Sequence, residues 1–245
     1  MFFAKIVHRV RFDSASSPIK PQLITHNKRQ YTMSKQAIIF DLGGVLVDWN
    51  PDYLYRQLIP DPKARAHFLT HICSPAWNGA QDGGRGWYTA IAELVAEFPE
   101  HGALIRAYRA RWIEMIKGQI TDSVAILDAL KARGYPLFAL TNWARDTFKL
   151  AHDHIPVDRF DGIIVSGEIG LMKPDPRIFR LLLDKYHLAA HDCCFIDDTR
   201  TNIDAAIVLG FDCIHFQNPA QLRAELEQRG LLESSTPRLR CGEVA

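Results

Sequence analysis

Four short apolar runs in this 245-residue chain lead into polar residues that can do chemistry. AIIF at 37–40 ends on Asp41, YPLFAL at 135–140 on Thr141 and Asn142, and CCFI at 193–196 on Asp197 and Asp198. The fourth run, GIIV at 162–165, leads through a short loop to Lys173 and Pro174. If each run is a strand of one open parallel sheet, their carboxyl ends meet at a crevice where such sheets bind ligands. Three carboxylates gathered there repel one another unless a divalent cation sits among them, and an all-oxygen donor set favours Mg²⁺. Lys173 and Thr141 are then suited to hold an anion beside the cation. The chemistry this set predicts is covalent phosphoryl transfer, in which Asp41 attacks phosphorus in line and water hydrolyses the aspartyl-phosphate. Mg²⁺ and Lys173 would neutralise the equatorial oxygens, while Thr141 and the backbone amides around Leu42 and Asn142 complete the cradle.

The elements needed to position these residues are legible in the apolar pattern. After the first run, residues 52–117 read as helices without a clear strand, broken by the loop Asp82-Gly83-Gly84-Arg85-Gly86. Beyond Gly118, helices near 121–132, 143–153, 175–186, 200–209 and 219–230 alternate with the later strands, the last of them at 212–216. Strands alternating with helices predict an α/β fold: a Rossmann-like parallel sheet with helices on both faces. The helical block then reads as an inserted all-helical cap over 52–117, and 33–51 with 118–232 as the catalytic core.

Composition narrows the partners. The chain is 47% apolar and 23% charged with a formal net charge of +1, the profile of a globular domain with a full core. No stretch approaches the roughly 18 apolar residues of a membrane span, and the overall charge gives no reason to bind nucleic acid or a lipid surface. A small-molecule partner is expected. Five cysteines form no C-x-x-C pair, which argues against a disulfide framework or zinc site and for a reducing cytoplasm. Residues 1–32 carry six basic side chains against one acid, and the remainder 23 against 27. This leader is predicted to be disordered, either an upstream start before Met33 or a transit-like segment; residues 233–245 read as a flexible tail.

The runs FDLGGVLVD (40–48), LTN (140–142), GLMKPDPRIF (170–179) and FIDDTRTN (195–202) resemble, in order, the four motifs of the haloacid dehalogenase-like hydrolase superfamily. The resemblance covers about residues 35–230. It implies a Rossmann-like core with a helical cap inserted after the first motif. It also implies that Asp198 binds Mg²⁺ directly with Asp41 and the Gly43 carbonyl, while Asp197 orients Lys173 or a metal-bound water.

One position departs from the phosphatases of that superfamily, which carry a second Asp two places after the nucleophile to protonate the leaving alkoxide. Here that place is Gly43. Such a general acid is worth about 10²–10⁴ in rate. Either another acid or water replaces it, or the leaving group is good, or it needs no proton. A 2-haloacid dehalogenase, in which Asp41 displaces halide, meets the last condition; the adjacent acids Asp197 and Asp198 argue instead for a cation site and a phosphatase. The first motif also resembles that of bacterial sugar-1-phosphate phosphatases, whose anomeric leaving group would suit a weakened acid. A mutase is disfavoured because Gly43 cannot shuttle protons. A receiver domain is disfavoured by length, by the helical insert and by the late position of its acidic pair. An inactive member acting as a binding protein is motivated by Gly43 alone.

Taken singly, each residue has a simpler role: Asp41 as a turn former, Thr141-Asn142 and Asp197-Asp198-Thr199 as helix caps, Lys173 as a solvated loop charge. Four such positions at successive strand ends point to a site instead. Trp49 and Trp143 closely follow two motifs and are candidate pocket walls, with Trp143 assigned to substrate. Trp77, Trp87 and Trp112 read as packing within or beneath the cap. Arg85 and Asp82 are placed to reach over the site toward a substrate hydroxyl or anion, or else to lie in an exposed hinge. His152 and His154 lack a third ligand, and Cys193-Cys194 reads as buried strand.

Overall fold

A computed structural model describes residues 36–233 of the chain. The expectations for the leader 1–32 and for the tail therefore lie outside the described residues, apart from the single residue Glu233. In chain order the elements are β1 (Ala37–Phe40), β2 (Val47–Trp49), α1 (Asp52–Leu58), α2 (Pro62–His67), α3 (Pro75–Asp82), α4 (Trp87–Glu97) and α5 (Gly102–Ala110). There follow β3 (Ile116–Gln119), α6 (Thr121–Ala132), β4 (Leu137–Thr141), α7 (Arg145–Leu150), β5 (Gly162–Val165), α8 (Ser166–Ile169) and α9 (Pro176–Tyr186). The last are β6 (Cys193–Asp197), α10 (Arg200–Val208), β7 (Asp212–His215) and α11 (Pro219–Gln228).

Five strands form one parallel sheet in the order β5-β4-β1-β6-β7. A parallel strand covered on both faces must be apolar at every position, and all four residues of AIIF are buried. Their side chains alternate between two cores. Ile38 and Phe40 join a cluster with Val124, Leu127 and Leu130 of α6 and Leu222 and Leu226 of α11. Ala37 and Ile39 join a second with Ile178, Phe179 and Leu182 of α9 and Ile203 and Ala206 of α10. The fold is thus Rossmann-like, with helices on both faces. Because β1 lies between β4 and β6, register puts Phe40 level with Ala139 and Ile196, so Asp41 and Asp197 emerge side by side and Thr141 lies one residue beyond their level.

All regular elements between β2 and β3 are helical, which is the expected insert. Its core is aromatic: Tyr55 lies 4.9 Å from Phe68 and 6.0 Å from Tyr108, and Trp77 meets Tyr108 edge-on at 5.2 Å. Asp61 and Ser74 cap α2 and α3 from the residue before Pro62 and Pro75, which suit a first helical turn because they lack an N–H. No helix among the described residues is long and apolar enough to cross a membrane.

Two readings are corrected. Residues 52–117 are not free of strand: β3 begins at Ile116, pairs antiparallel with β2, and spans the expected insert boundary at 117. Four residues with Gly118 at φ +139° carry no strand signal of their own, and the pairing comes from a segment distant in sequence. The helix expected over 143–153 is shortened to α7, because Trp143 and Ala144 make loop contacts and residues 152–154 form a 3₁₀ turn.

Candidate active site

Asp41 leaves β1 at the sheet's carboxyl edge and is buried. The Lys173 ammonium, wholly buried, lies 3.0 Å from Asp41 Oδ1 and 2.7 Å from Asp197 Oδ2. Asp197 is fixed in turn. Its Oδ1 accepts from the Thr199 amide at 2.8 Å, and both its oxygens accept from Asn202 Nδ2 at 3.1 Å. The backbone of Lys173 is held by Asn142, whose Oδ1 accepts from the Lys173 amide at 2.9 Å and whose Nδ2 donates to the Lys173 carbonyl at 2.8 Å. An ammonium buried at this depth is tolerated because carboxylates surround it. Burial pulls the Lys173 pKa down, yet Asp41 and Asp197 more than offset that and hold it above the usual lysine range.

Asp198 stands beside them at the sheet edge. Oxygens of Asp41, Asp197 and Asp198 all lie within 4.8 Å of one another. Three carboxylates against one ammonium leave the cluster short of positive charge. Burial first, then Asp197 and Asp198, push the Asp41 carboxyl up to about 7 despite Lys173, and burial with Asp197 raises Asp198. A divalent cation bound by oxygens answers that deficit. The chain has also made room for Asp198 over the first-motif turn. Gly44 sits at φ +75°, and a Cβ there would come 2.4 Å from Asp198 Oδ2. Gly44→Ala is therefore expected to displace Asp198 and to lower both cation affinity and stability, the latter by roughly 1–3 kcal/mol. Titration calorimetry with Mg²⁺ and thermal unfolding check this; unchanged affinity would show that the close approach is dispensable.

Above the cluster lies a small cleft of about 60 Å³, lined by Gly43, Trp49, Asn78, Asp82, Trp112, Asn142 and Trp143. Trp112 stacks on Trp49 at 6.4 Å and meets Trp143 at 5.7 Å, so three indoles from β2, the insert and the loop after β4 form its apolar wall. Two polar residues of α3 line it too. Asp82 Oδ1 accepts from the Ala144 amide at 2.9 Å, and the Asp82 carbonyl accepts from Ser166 Oγ at 2.6 Å. Asn78 Nδ2 donates to Asp82 Oδ2 at 2.9 Å. These bonds tie the last turn of α3 to the core loops after β4 and β5.

The arrangement is a buried nucleophile-and-ammonium pair beside a carboxylate cluster, roofed by an inserted helix. A profile of the haloacid dehalogenase-like hydrolases matches residues 35–210. The chain belongs to that family. Among curated relatives, this hydrolase is 29% identical over 195 residues to sesquiterpene phosphatase astK of Aspergillus oryzae, covering 79% of this chain and 95% of that one. Among solved structures, the magnesium complex of a had family enzyme from Bacteroides thetaiotaomicron aligns with a TM-score of 0.60 at 19% identity, over 76% of this chain and 94% of that one. The L-2-haloacid dehalogenase PA0810 aligns with a TM-score of 0.55 at 23% identity, over 77% and 87%. At such identities the structural likeness shows the shared fold.

Of the residues expected at the hydrolase's site, Asp41, Lys173, Asp197 and Asp198 come together, with Gly43 in the turn beneath the cleft and Thr141 buried at the end of β4. Trp143 lines the cleft as a wall. Three expectations change. Arg85 does not face the cleft; it pairs with Glu93 and lines a neighbouring cavity with Arg145 and Asp146. The Asn142 side chain is spent on the Lys173 backbone, which makes it a positioning residue. The Leu42 amide donates to Asp41 Oδ1 at 2.7 Å, so the nucleophile itself takes up that cradle donor. Asn202, which helps to fix Asp197, lies inside the fourth motif without an assigned role; its signal is a polar residue one helical turn beyond the acidic pair.

Proposed function

We propose that the protein is a Mg²⁺-dependent phosphatase that hydrolyses a small phosphorylated metabolite through an aspartyl-phosphate on Asp41. The observation that carries this reading is the buried Lys173 ammonium shared by Asp41 and Asp197, with Asp198 completing an acidic cluster that lacks one cation. The donor set fits Mg²⁺: the carboxylates of Asp41 and Asp198 and the Gly43 carbonyl would hold it, and Asp197 is committed to Lys173. When bound, the ion supplies positive charge to the oxygens of the transferring phosphoryl group.

The remaining work falls to the chain. Lys173 opposes the upward shift of the Asp41 carboxyl, holds it in place, and draws the anionic group toward it. Asp41 attacks phosphorus in line, and water then attacks the acyl-phosphate and regenerates the carboxylate. The Thr141 hydroxyl and the backbone N–H of Asn142 bind phosphoryl oxygens. Trp49, Trp112 and Trp143 pack against the apolar part of the substrate, which suits an ester whose alcohol carries hydrocarbon; the phosphatase name of the fungal relative supports the same direction. A sugar phosphate stacked on these rings is the polar version of the same class. We take residues 52–117 as the cap that closes this cleft over a core of 33–51 and 118–232. We place the enzyme in the cytoplasm on the unpaired thiols of Cys73, Cys193, Cys194 and Cys213.

A 2-haloacid dehalogenase would use Asp41 on carbon, a step that needs no cation and leaves the raised, cluster-forming Asp198 without a task. The purified protein, tested against a panel of phosphorylated metabolites and 2-haloacids with Mg²⁺ or chelator, is expected to release phosphate only with Mg²⁺. Halide release that survives chelation overturns the phosphatase reading. The same preparation should unfold at higher temperature with Mg²⁺, by about 2.7 kcal/mol at one hundred times the dissociation constant.

A further inference from the structure

The phosphatase reading leaves one proton without a source. A departing alkoxide must be protonated, and Gly43 offers no side chain to do it. The space beside Gly43 is open: a Cβ built there meets nothing within 4 Å. The last residue of α3, Asp82, lines the same cleft as Gly43. Of the seven residues lining the cleft, Asp82 is the only one with an ionisable side chain.

Resting on the phosphatase reading, we propose that Asp82, donated by the helical insert, is the general acid that protonates the leaving oxygen in place of the carboxyl missing at Gly43. Its anchoring fits the role. Oδ1 is held by the Ala144 amide, which fixes the carboxyl against the loop that carries Asn142 and Trp143. Oδ2 is left as the proton-bearing oxygen, resting against the Asn78 amide. Asn78 Oδ1 is buried without a hydrogen-bond partner among the described residues, and turning that amide over puts an acceptor against a proton on Oδ2. The ionisation supports the geometry: burial, and secondarily the charge of Asp41, raise the Asp82 carboxyl to about 7, against the lowering effect of the Ala144 bond.

The proton balance closes over the cycle. Asp41 forms a bond to phosphorus while the bond from phosphorus to the ester oxygen breaks; that oxygen takes the Asp82 proton and leaves as the alcohol. Water then attacks the acyl-phosphate and gives one proton back to the Asp82 carboxylate, and phosphate keeps the other with the water oxygen.

The test compares two monoesters, 2-phenylethyl phosphate, whose alkoxide needs a proton, and p-nitrophenyl phosphate, whose phenolate does not. Asp82→Asn keeps the size of the side chain and its acceptor for Ala144. It is expected to lower kcat on the phenylethyl ester by about 10²–10⁴ and on the nitrophenyl ester by less than about tenfold. Equal losses on both, or no loss on either, overturn the assignment while leaving the phosphatase reading intact. So does a parent enzyme that cleaves the nitrophenyl ester alone. A parent that cleaves neither ester overturns both readings. Gly43→Asp provides a test that leaves Asp82 in place. With Asp82 already supplying the proton, the added acid should raise the phenylethyl rate no more than a few-fold, whereas a gain of about 10² or more would show that no acid was there. In the double variant with Asp82→Asn, Gly43→Asp should recover most of the lost phenylethyl rate.

Discussion

Replacing Asp41 with Asn is expected to lower phosphate release by about 10⁴-fold or more while leaving the metal-free protein as stable as the parent, or more so. The two effects have opposite signs because they draw on different properties of one carboxyl group. Turnover needs a nucleophilic oxygen bonded to phosphorus in line, and an amide of the same shape has none to offer. Stability without a cation is another matter. The Asp41 carboxyl is raised to about 7 by burial and by two neighbouring carboxylates, so its charged form is unfavourable in the folded state at neutral pH. A group whose folded value exceeds its unfolded value of 3.8 contributes stability that is complete below about 4 and is lost as pH rises through 7. The amide removes that loss. Steady-state assays and thermal unfolding at pH 4 and pH 8, each with and without Mg²⁺, check both halves. The variant should match the parent near pH 4, exceed it at pH 8 without Mg²⁺, and gain less than the parent when Mg²⁺ is added. Retained turnover would remove Asp41 from the role of nucleophile.

How much of this was readable from the chain depended on how local each interaction is. AIIF and CCFI announce themselves because a parallel strand buried on both faces must be apolar throughout, and the polar residue that breaks each run marks the sheet edge where a ligand sits; GIIV, an outermost strand, is half-buried at its first two residues and is legible from its β-branched run. Asp41, Asp197 and Lys173 were therefore legible as a set. What they do to one another was not: Asn142 belongs to the set by position, yet its amide is consumed in clamping Lys173, thirty-one residues away. Arg85 shows the opposite failure. Its charge in a glycine-rich loop was visible, but the carboxylate that takes it, Glu93, lies just eight residues on across the start of α4, and a composition reading weighs no such pairing. The β2–β3 pair was hidden because each strand is short and its partner distant. Asp82 was visible as an acid near a loop, while its burial against Ala144 and the cleft it faces depend on the insert folding back on the core.

Replacing Lys173 with Met should be the most damaging single change to the fold, lowering stability at pH 7 by about 3–5 kcal/mol and abolishing turnover. The methionine fills the channel occupied by the lysine stem, so the loss isolates the charge. Without it, Asp41 and Asp197 face each other buried, with Asp198 beside them and no ammonium between. Removing one partner of a buried ionic cluster leaves the others with their full desolvation penalty, the reverse of trading the whole cluster for apolar side chains. The deficit should depend on pH in a set direction. Lys173 is the main influence holding Asp41 down, so its removal moves the Asp41 value further above 7, and protonation then relieves the repulsion as pH falls. The gap between variant and parent is therefore expected to be widest near neutral pH and to narrow toward pH 4. Saturating Mg²⁺ should narrow it as well, because a divalent cation between Asp41 and Asp198 restores part of the missing charge. Denaturant unfolding at pH 4.5 and pH 7, with and without Mg²⁺, measures all three effects. A variant as stable as the parent at pH 7 would mean that the buried carboxylates are neutralised by something other than this ammonium, and the cation-deficient cluster on which the phosphatase reading depends would have to be abandoned.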